Sequence, residues 1–204
     1  QHMRDAIARD LHDDVGSTLG SINFYSEALK RKMIATGDPT SQDVAERIGH
    51  SSREMIDRMA DIVWSVDPQN DDGASLLERM QVFATDLLAT RGIIVEWSAP
   101  LTLITVKMNT ELRRNLFMIF KEAVHNAAKY AQCSSLIVRL QVQGNDIVME
   151  IRDNGIGFDP QNIDSYNGNG LVSMNKRASM LGGTISVASH TGEGTSIRVT
   201  VPVR

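Results

Sequence analysis

The chain has 204 residues, 42% of them hydrophobic and 23% charged, which suits one large or two small folded domains and excludes global disorder. A net charge of −4 offers no basic surface of the kind that non-specific nucleic-acid binding rests on, so no nucleic-acid partner is expected. The single cysteine, Cys133, excludes an internal disulfide and a multi-cysteine metal site, and fits a reducing compartment.

From Ile7 to Met33 the apolar residues Ile7, Leu11, Val15, Leu19, Ile22, Leu29 and Met33 recur at spacings of three, four and seven, a stripe along one helix. Gly37-Asp38-Pro39 breaks it, because the residue before proline avoids the helical region and glycine permits a sharp turn. A second stripe runs through Val44, Ile48, Met55, Met59, Ile62 and Val66 until Asp67-Pro68 ends it. Two long helices on a short loop form a hairpin with much of both stripes exposed, and pairing into a four-helix bundle as a homodimer is the economical way to cover them. Gln69-Asn70-Asp71-Asp72-Gly73 reads as a polar linker. Leu76 to Ala89 then predicts a helix, Ile93 to Trp97 a strand, and Asn109 to Tyr130 a longer helix with Leu112, Leu116, Ile119, Ala123 and Ala127 on one face. Ser135 to Val142 and Ile147 to Arg152 predict a hairpin around Gly144-Asn145-Asp146. A glycine-rich stretch leads into a helix from about Leu171 to Leu181, and Gly182-Gly183 into two last strands, Thr184 to Ser189 and Thr195 to Val203. The expected architecture is thus a helical hairpin over 4–67, a linker over 68–75 and an α/β sandwich over 76–204 with helices on one sheet face. No apolar run is long enough to span a bilayer, and no secretory segment appears. Gln1-His2-Met3 reads like a cloning remnant, and a start inside a helical pattern suggests a piece of a longer protein.

Four polar pieces of the second half bear on chemistry. On the long helix, Glu122 and Asn126 stand four apart on one face, with Lys129 and Tyr130 a turn later. An amide oxygen can ligate Mg²⁺, and an ammonium can meet phosphate. Asp153-Asn154-Gly155-Ile156-Gly157-Phe158 follows a strand, where a carboxylate can accept a hydrogen bond from an exocyclic amine and glycines let a base approach the backbone. Gly168-Asn169-Gly170-Leu171 opens a helix, where backbone N–H groups and the helix dipole favour phosphate. Gly192-Glu193-Gly194-Thr195 begins the last strand. Each piece alone is more often an ordinary turn or helix entry, and neither a Walker-type loop nor a dinucleotide fingerprint is present. The ordered set is what carries the information. It also gives meaning to His12, an otherwise unremarked helix histidine followed directly by Asp13.

Together these residues resemble the core of a sensor histidine kinase of two-component signalling, in the DesK- and NarX-like class. Arg9-Asp10-Leu11-His12-Asp13 looks like that class's phospho-acceptor box and Glu122 to Tyr130 like its N box. Asp153 to Gly157, Gly168 to Leu171 and Gly192 to Thr195 look like its three glycine boxes. The resemblance covers nearly the whole chain. It implies a Bergerat-type ATP fold, with Asn126 on Mg²⁺ (Glu122 alongside), Asp153 on the adenine amine, Lys129 near the phosphates and Tyr130 near the nucleotide. Gly155, Gly157, Gly168, Gly170, Leu171 and Thr195 would shape the pocket, and residues from about Asp159 to Asn169 would form an ATP lid.

The reaction so implied is in-line attack of His12 Nε2 on the γ-phosphorus of Mg-ATP, with Asp13 accepting the Nδ1 hydrogen bond as general base and orienter. The phosphoryl group would pass to an aspartate on the receiver domain of a response regulator. The expected setting is cytoplasmic, as the cytoplasmic portion of a longer receptor, membrane-attached or not. One position departs from the class: five residues after the acceptor, where Gln is often found, stands Ser17, with a shorter reach toward water. Phosphatase activity is therefore expected to be weak. The rival readings are a serine-protein kinase of the anti-sigma type, which gives the His12 hairpin no purpose, and a non-catalytic nucleotide-binding dimerisation module, which the intact Asn126, Asp153 and glycine set argues against. His50, His125 and His190 read as ordinary residues, and the ten methionines as core filler.

Overall fold

The computed structural model describes residues 16–36, 39–67, 70–159 and 169–203. They form two compact units, Gln1–Asn70 and Asp71–Arg204.

In the first unit, helices α1 (Gly16–Thr36) and α2 (Pro39–Val66) pack as a hairpin. Helix α2 begins at Pro39, earlier than its stripe does, because a proline at the first helical position has its fixed φ in place and no N–H to leave unpaired. Leu19, Ala45 and Met59 are buried between the helices, and the Ser26 hydroxyl donates to the Ala45 carbonyl. Arg53 Nη1 reaches across to Asn23 Oδ1 at 2.7 Å and Glu27 Oε1 at 3.2 Å, and Lys30 meets Glu46 at 3.1 Å. Much of the apolar stripe stays outside this contact: Ile22, Leu29, Val44, Ile48 and Met55 are all exposed in the single chain.

In the second unit, helix α3 (Gly73–Ala89) precedes strand β1 (Ile94–Ser98), and a one-turn helix α4 (Leu101–Ile104) leads to helix α5 (Thr110–Asn126). After a π-turn over Ala127–Ala131 come strands β2 (Ser135–Gln143) and β3 (Asp146–Asp153), helix α6 (Asn169–Met180), and strands β4 (Thr184–His190) and β5 (Gly194–Pro202). The five strands lie in the order β1-β2-β3-β5-β4, parallel between β1 and β2 and antiparallel elsewhere.

Alternation along the strands sets the two faces of the sheet. Leu136, Val138 and Leu140 on β2, Met149 and Ile151 on β3, and Ile197, Val199 and Val201 on β5 are buried. They share a core with Leu76, Met80, Ala84 and Leu88 of α3, Leu112, Leu116, Ile119 and Phe120 of α5, and Met174 and Ala178 of α6. Each large side chain removed from water here contributes about 1.5–3 kcal/mol. On the opposite face Arg139, Glu150 and Arg198 stand directly across from one another on three neighbouring strands, and opposite charges in such positions help fix register.

Residues expected to be linker are tied into this unit. Gly73 N–H bonds Val106 O at 3.0 Å, Met108 N–H bonds Asp71 O at 3.1 Å, and the Asp71 carboxylate pairs with the fully buried Arg113 guanidinium. Asp72 caps α3, its carboxylate accepting from Ser75 N–H at 2.9 Å, and that bond lowers its pKa. The second compact unit begins at Asp71.

Candidate functional site

A cavity of about 520 Å³ opens in the second unit between α5, the π-turn, the end of β3, the start of α6 and the start of β5. Its polar lining includes Asn126, Tyr130, Asp153, Asp159 and Thr195. Ala123, Ala127, Ile156, Phe158, Leu171 and Ile197 supply the apolar wall. A mostly apolar cavity with a few convergent polar groups is the form that small-molecule sites usually take.

Asp153 sits at the end of β3 and is 7% exposed. Its Oδ1 accepts from Gly155 N–H at 2.9 Å and from Thr195 N–H at 3.3 Å, leaving Oδ2 without a hydrogen bond among the described residues. Burial pushes its pKa above the ordinary aspartate value, and the backbone N–H groups of Gly155, Thr195 and Asp153 itself oppose that rise. The same buried charge, after burial itself, helps raise the Cys133 thiol. A desolvated carboxylate with one oxygen fixed and the other free is poised to accept a hydrogen bond from a ligand.

The glycines around it make room for backbone. Gly157 has φ +59°, and a Cβ there would run into the His190 carbonyl oxygen. Gly194 has φ +79°, and a Cβ there would run into the Asp153 carbonyl oxygen. Gly155 presses on the Ala131 carbonyl, which also accepts from Ile156 N–H at 2.8 Å. The three strand ends and the π-turn are thus held at backbone contact around the carboxylate.

The long helix runs as expected to Asn126 and then widens. Ala127 N–H is shared between Ala123 O and Val124 O, Arg91 Nη1 takes the Ala128 carbonyl at 2.7 Å, and Gln132 ends the turn in the left-handed region at φ 52°. One wide turn changes the angular offset between Asn126 and the residues after it, and π-turns are common where a helix serves a site. Asn126 and Tyr130 both line the cavity. Lys129 is exposed and off the cavity wall, its ammonium 4.9 Å from the centre of the Tyr130 ring. Glu122 is also off the wall and lies against Gly170, where any Cβ would collide with its carboxylate. Leu171, next to Gly170 at the start of α6, reaches the cavity.

Of the residues singled out from sequence, the structure brings Asn126, Tyr130, Asp153, Gly157, Leu171 and Thr195 to one cavity, with Gly155 packed beneath it. Ser17 stands in the first turn of α1, while His12, Asp13, Gly168 and most of the expected lid lie outside the described residues. Sequence reasoning missed Ser189 and Arg91. Ser189 is legible in retrospect, because the tight turn over 190–194 places it directly opposite Thr195. Nothing in the sequence pointed to Arg91.

The chain is similar to known proteins along most of its length. Residues 4–71 match the family model described as "Histidine kinase". Residues 111–204 match the one described as "Histidine kinase-, DNA gyrase B-, and HSP90-like ATPase". The chain is similar to the sensor histidine kinase LiaS of Bacillus subtilis (strain 168), with 30% identity over 202 residues, 98% of this chain and 54% of that protein. It is also similar to the oxygen sensor histidine kinase NreB of Staphylococcus carnosus (strain TM300), with 27% identity over 209 residues, 100% of this chain and 57% of that protein. The chain thus spans a little over half the length of these curated relatives. Among solved structures, the histidine kinase domain of the Erythrobacter litoralis EL346 blue-light activated histidine kinase shares the fold with a TM-score of 0.61 at 16% identity, covering 92% of this chain and 94% of that one. The Acinetobacter baumannii histidine kinase AdeS does so with a TM-score of 0.59 at 15% identity, covering 95% and 98%.

Proposed function

Because the chain belongs to the sensor histidine kinases of the DesK- and NarX-like class, we propose that it binds ATP in the cavity around Asp153 and phosphorylates itself on His12. The observation that carries this reading is the buried Asp153 carboxylate, one oxygen tied to two backbone N–H groups and the other available to an amine, in a cavity that Asn126 also lines.

Asp153 accepts a hydrogen bond from the exocyclic amine of adenine, and Ile156, Phe158 and Ile197 cover the base. Tyr130 lies beside the nucleotide, and Lys129 next to it supplies charge to the phosphates. No cluster of three acidic, histidine or cysteine side chains that could cage a metal occurs among the described residues. Mg²⁺ is commonly held by one or two carboxylates together with phosphate oxygens and water. Asn126 would supply the amide oxygen, with Glu122 behind it. When bound, Mg²⁺ neutralises charge on the β- and γ-phosphates.

His12 Nε2 forms the new bond to the γ-phosphorus as the bond to the bridging oxygen breaks and ADP leaves. Asp13 accepts the hydrogen bond of Nδ1–H, which keeps the Nε2 lone pair free for attack. An aspartate of a response-regulator receiver domain then takes the phosphoryl group. The exposed stripe of Ile22, Leu29, Val44, Ile48 and Met55 supports a homodimer through the helical hairpin. A cytoplasmic setting is part of the same reading, and no helix among the described residues is long and apolar enough to cross a membrane. Incubation with γ-labelled ATP and Mg²⁺ tests the proposal. The label should be acid-labile, absent from His12→Gln despite intact ATP binding, and reduced in Asp153→Asn because binding is weakened. An acid-stable label would refute the reading.

A further inference from the structure

Behind the cavity wall lies a buried hydroxyl that the proposed mechanism does not use. Ser189, at the end of β4, is 3% exposed and does not line the cavity. Its Oγ lies 2.9 Å from Phe158 N, 3.1 Å from Gly194 O and 3.0 Å from Thr195 Oγ1. Phe158 and Thr195 are both cavity residues, and Thr195 N–H also holds Asp153.

A serine hydroxyl has one proton to give and two lone pairs to accept with. The amide of Phe158 can only donate, so it takes one lone pair. The Gly194 carbonyl can only accept, so it takes the proton. The contact with Thr195 can then be a hydrogen bond only if Thr195 donates into the second lone pair. This is the arrangement in which all three contacts are satisfied, and at a nearly fully buried hydroxyl an unmade bond is costly. Once its proton is committed to Ser189, Thr195 can face the cavity only as an acceptor.

We propose that Ser189 is a positioning residue that fixes the direction of the Thr195 hydroxyl, so that Asp153 and Thr195 together present only acceptors to the base and select a 6-amino purine over a 6-oxo purine. The inference rests on the nucleotide reading above. A 6-amino group offers protons to these acceptors. A 6-oxo group turns a lone pair toward them, and the site then leaves polar groups unpaired, the kind of mismatch that discriminates strongly. Without Ser189 the Thr195 hydroxyl is free to rotate and donate to a 6-oxo oxygen.

The test is a titration of the whole chain with ADP and with inosine diphosphate, read as the ratio of the two dissociation constants. Ser189→Ala should shift that ratio toward inosine diphosphate by about five- to tenfold, the worth of one neutral hydrogen bond. Ser189→Thr, which keeps the hydroxyl, should leave it within about twofold of the wild type. In a Thr195→Val background, Ser189→Ala should no longer move the ratio, since there is no hydroxyl left to orient. If Ser189→Ala weakens both nucleotides equally, or moves the ratio as much in the Thr195→Val background, Ser189 has a merely structural role and the proposal is overturned. Should the alanine variant not fold, Ser189→Cys replaces it, with a shift in the same direction expected and an unchanged ratio overturning the proposal. A wild-type chain that binds neither nucleotide overturns the nucleotide reading itself. One that binds ADP with a ratio indifferent to Ser189 overturns this inference alone.

Discussion

Replacing Asp153 by Asn separates the two things its carboxylate does. The amide is nearly isosteric, and its oxygen can still accept from Gly155 N–H and Thr195 N–H, so the strand end keeps both tethers. What disappears is the charge and the second acceptor. A hydrogen bond from a ligand amine to a charged, poorly solvated carboxylate is worth about 1.5–3 kcal/mol, so ATP affinity should fall about ten- to a hundredfold. At 7% exposure, solvent does little to screen that interaction. The apo protein should respond in the opposite sense. Burial raises the Asp153 pKa, so the folded state disfavours the ionised form, and a neutral amide removes that penalty. Calorimetric titration with a non-hydrolysable ATP analogue, alongside thermal unfolding of the free chain, reads both effects. Expected are weaker binding and an unchanged or higher Tm. Binding within about threefold of the wild type would refute the assignment of Asp153 to the base, since it would put the interaction below any charged hydrogen bond.

The raised Asp153 pKa also gives a pH dependence. The folded state holds this proton more tightly than the unfolded chain, so Asp153 adds stability below the ordinary aspartate value, lost as pH rises through its own higher pKa. ATP affinity runs the other way: it should fall as pH drops through that raised value, earlier than for an ordinary aspartate, and Asp153→Asn should flatten the profile. Gly192 and Gly194 make a second comparison. Both have positive φ, but only Gly194 lacks space, facing the Asp153 carbonyl. Gly192→Ala should cost about 1–2 kcal/mol in urea unfolding, the price of the left-handed backbone, whereas Gly194→Ala should cost more and abolish nucleotide binding. At the proposed phosphatase position, Ser17→Gln should speed dephosphorylation of a receiver domain that the chain phosphorylates, measured as loss of label in the presence of ADP, and leave autophosphorylation unchanged.

Much of the fold is legible because periodicity reports burial directly. The stripe Leu112, Leu116, Ile119 and Ala123 and the alternation Leu136, Val138 and Leu140 each name the face that meets the core, and those residues are buried. What escapes is set by contacts distant in sequence. Asp71 looks like one of five linker residues until Arg113 appears beneath it, 42 positions away. The widened turn at Ala127–Ala131 is stabilised in part by Arg91 reaching the Ala128 carbonyl, and no helix propensity encodes that. In the site, Asp153 and Asn126 can be named from their own chemistry. Ser189 acts only through Thr195 and Phe158, and Glu122 lies against Gly170 rather than in the cavity, placements fixed by strand register and helix packing.

In the proposed reaction the ATP cavity and the amino-terminal hairpin serve one phosphoryl transfer ending on His12. Its most direct test is to locate the phosphoryl group on the autophosphorylated chain, by mass spectrometry under conditions that preserve phosphoramidates, with ³¹P NMR to identify the ring nitrogen. One phosphohistidine is expected, at position 12 and on Nε2. A phosphoryl group on a serine, or on His50, His125 or His190, would contradict it.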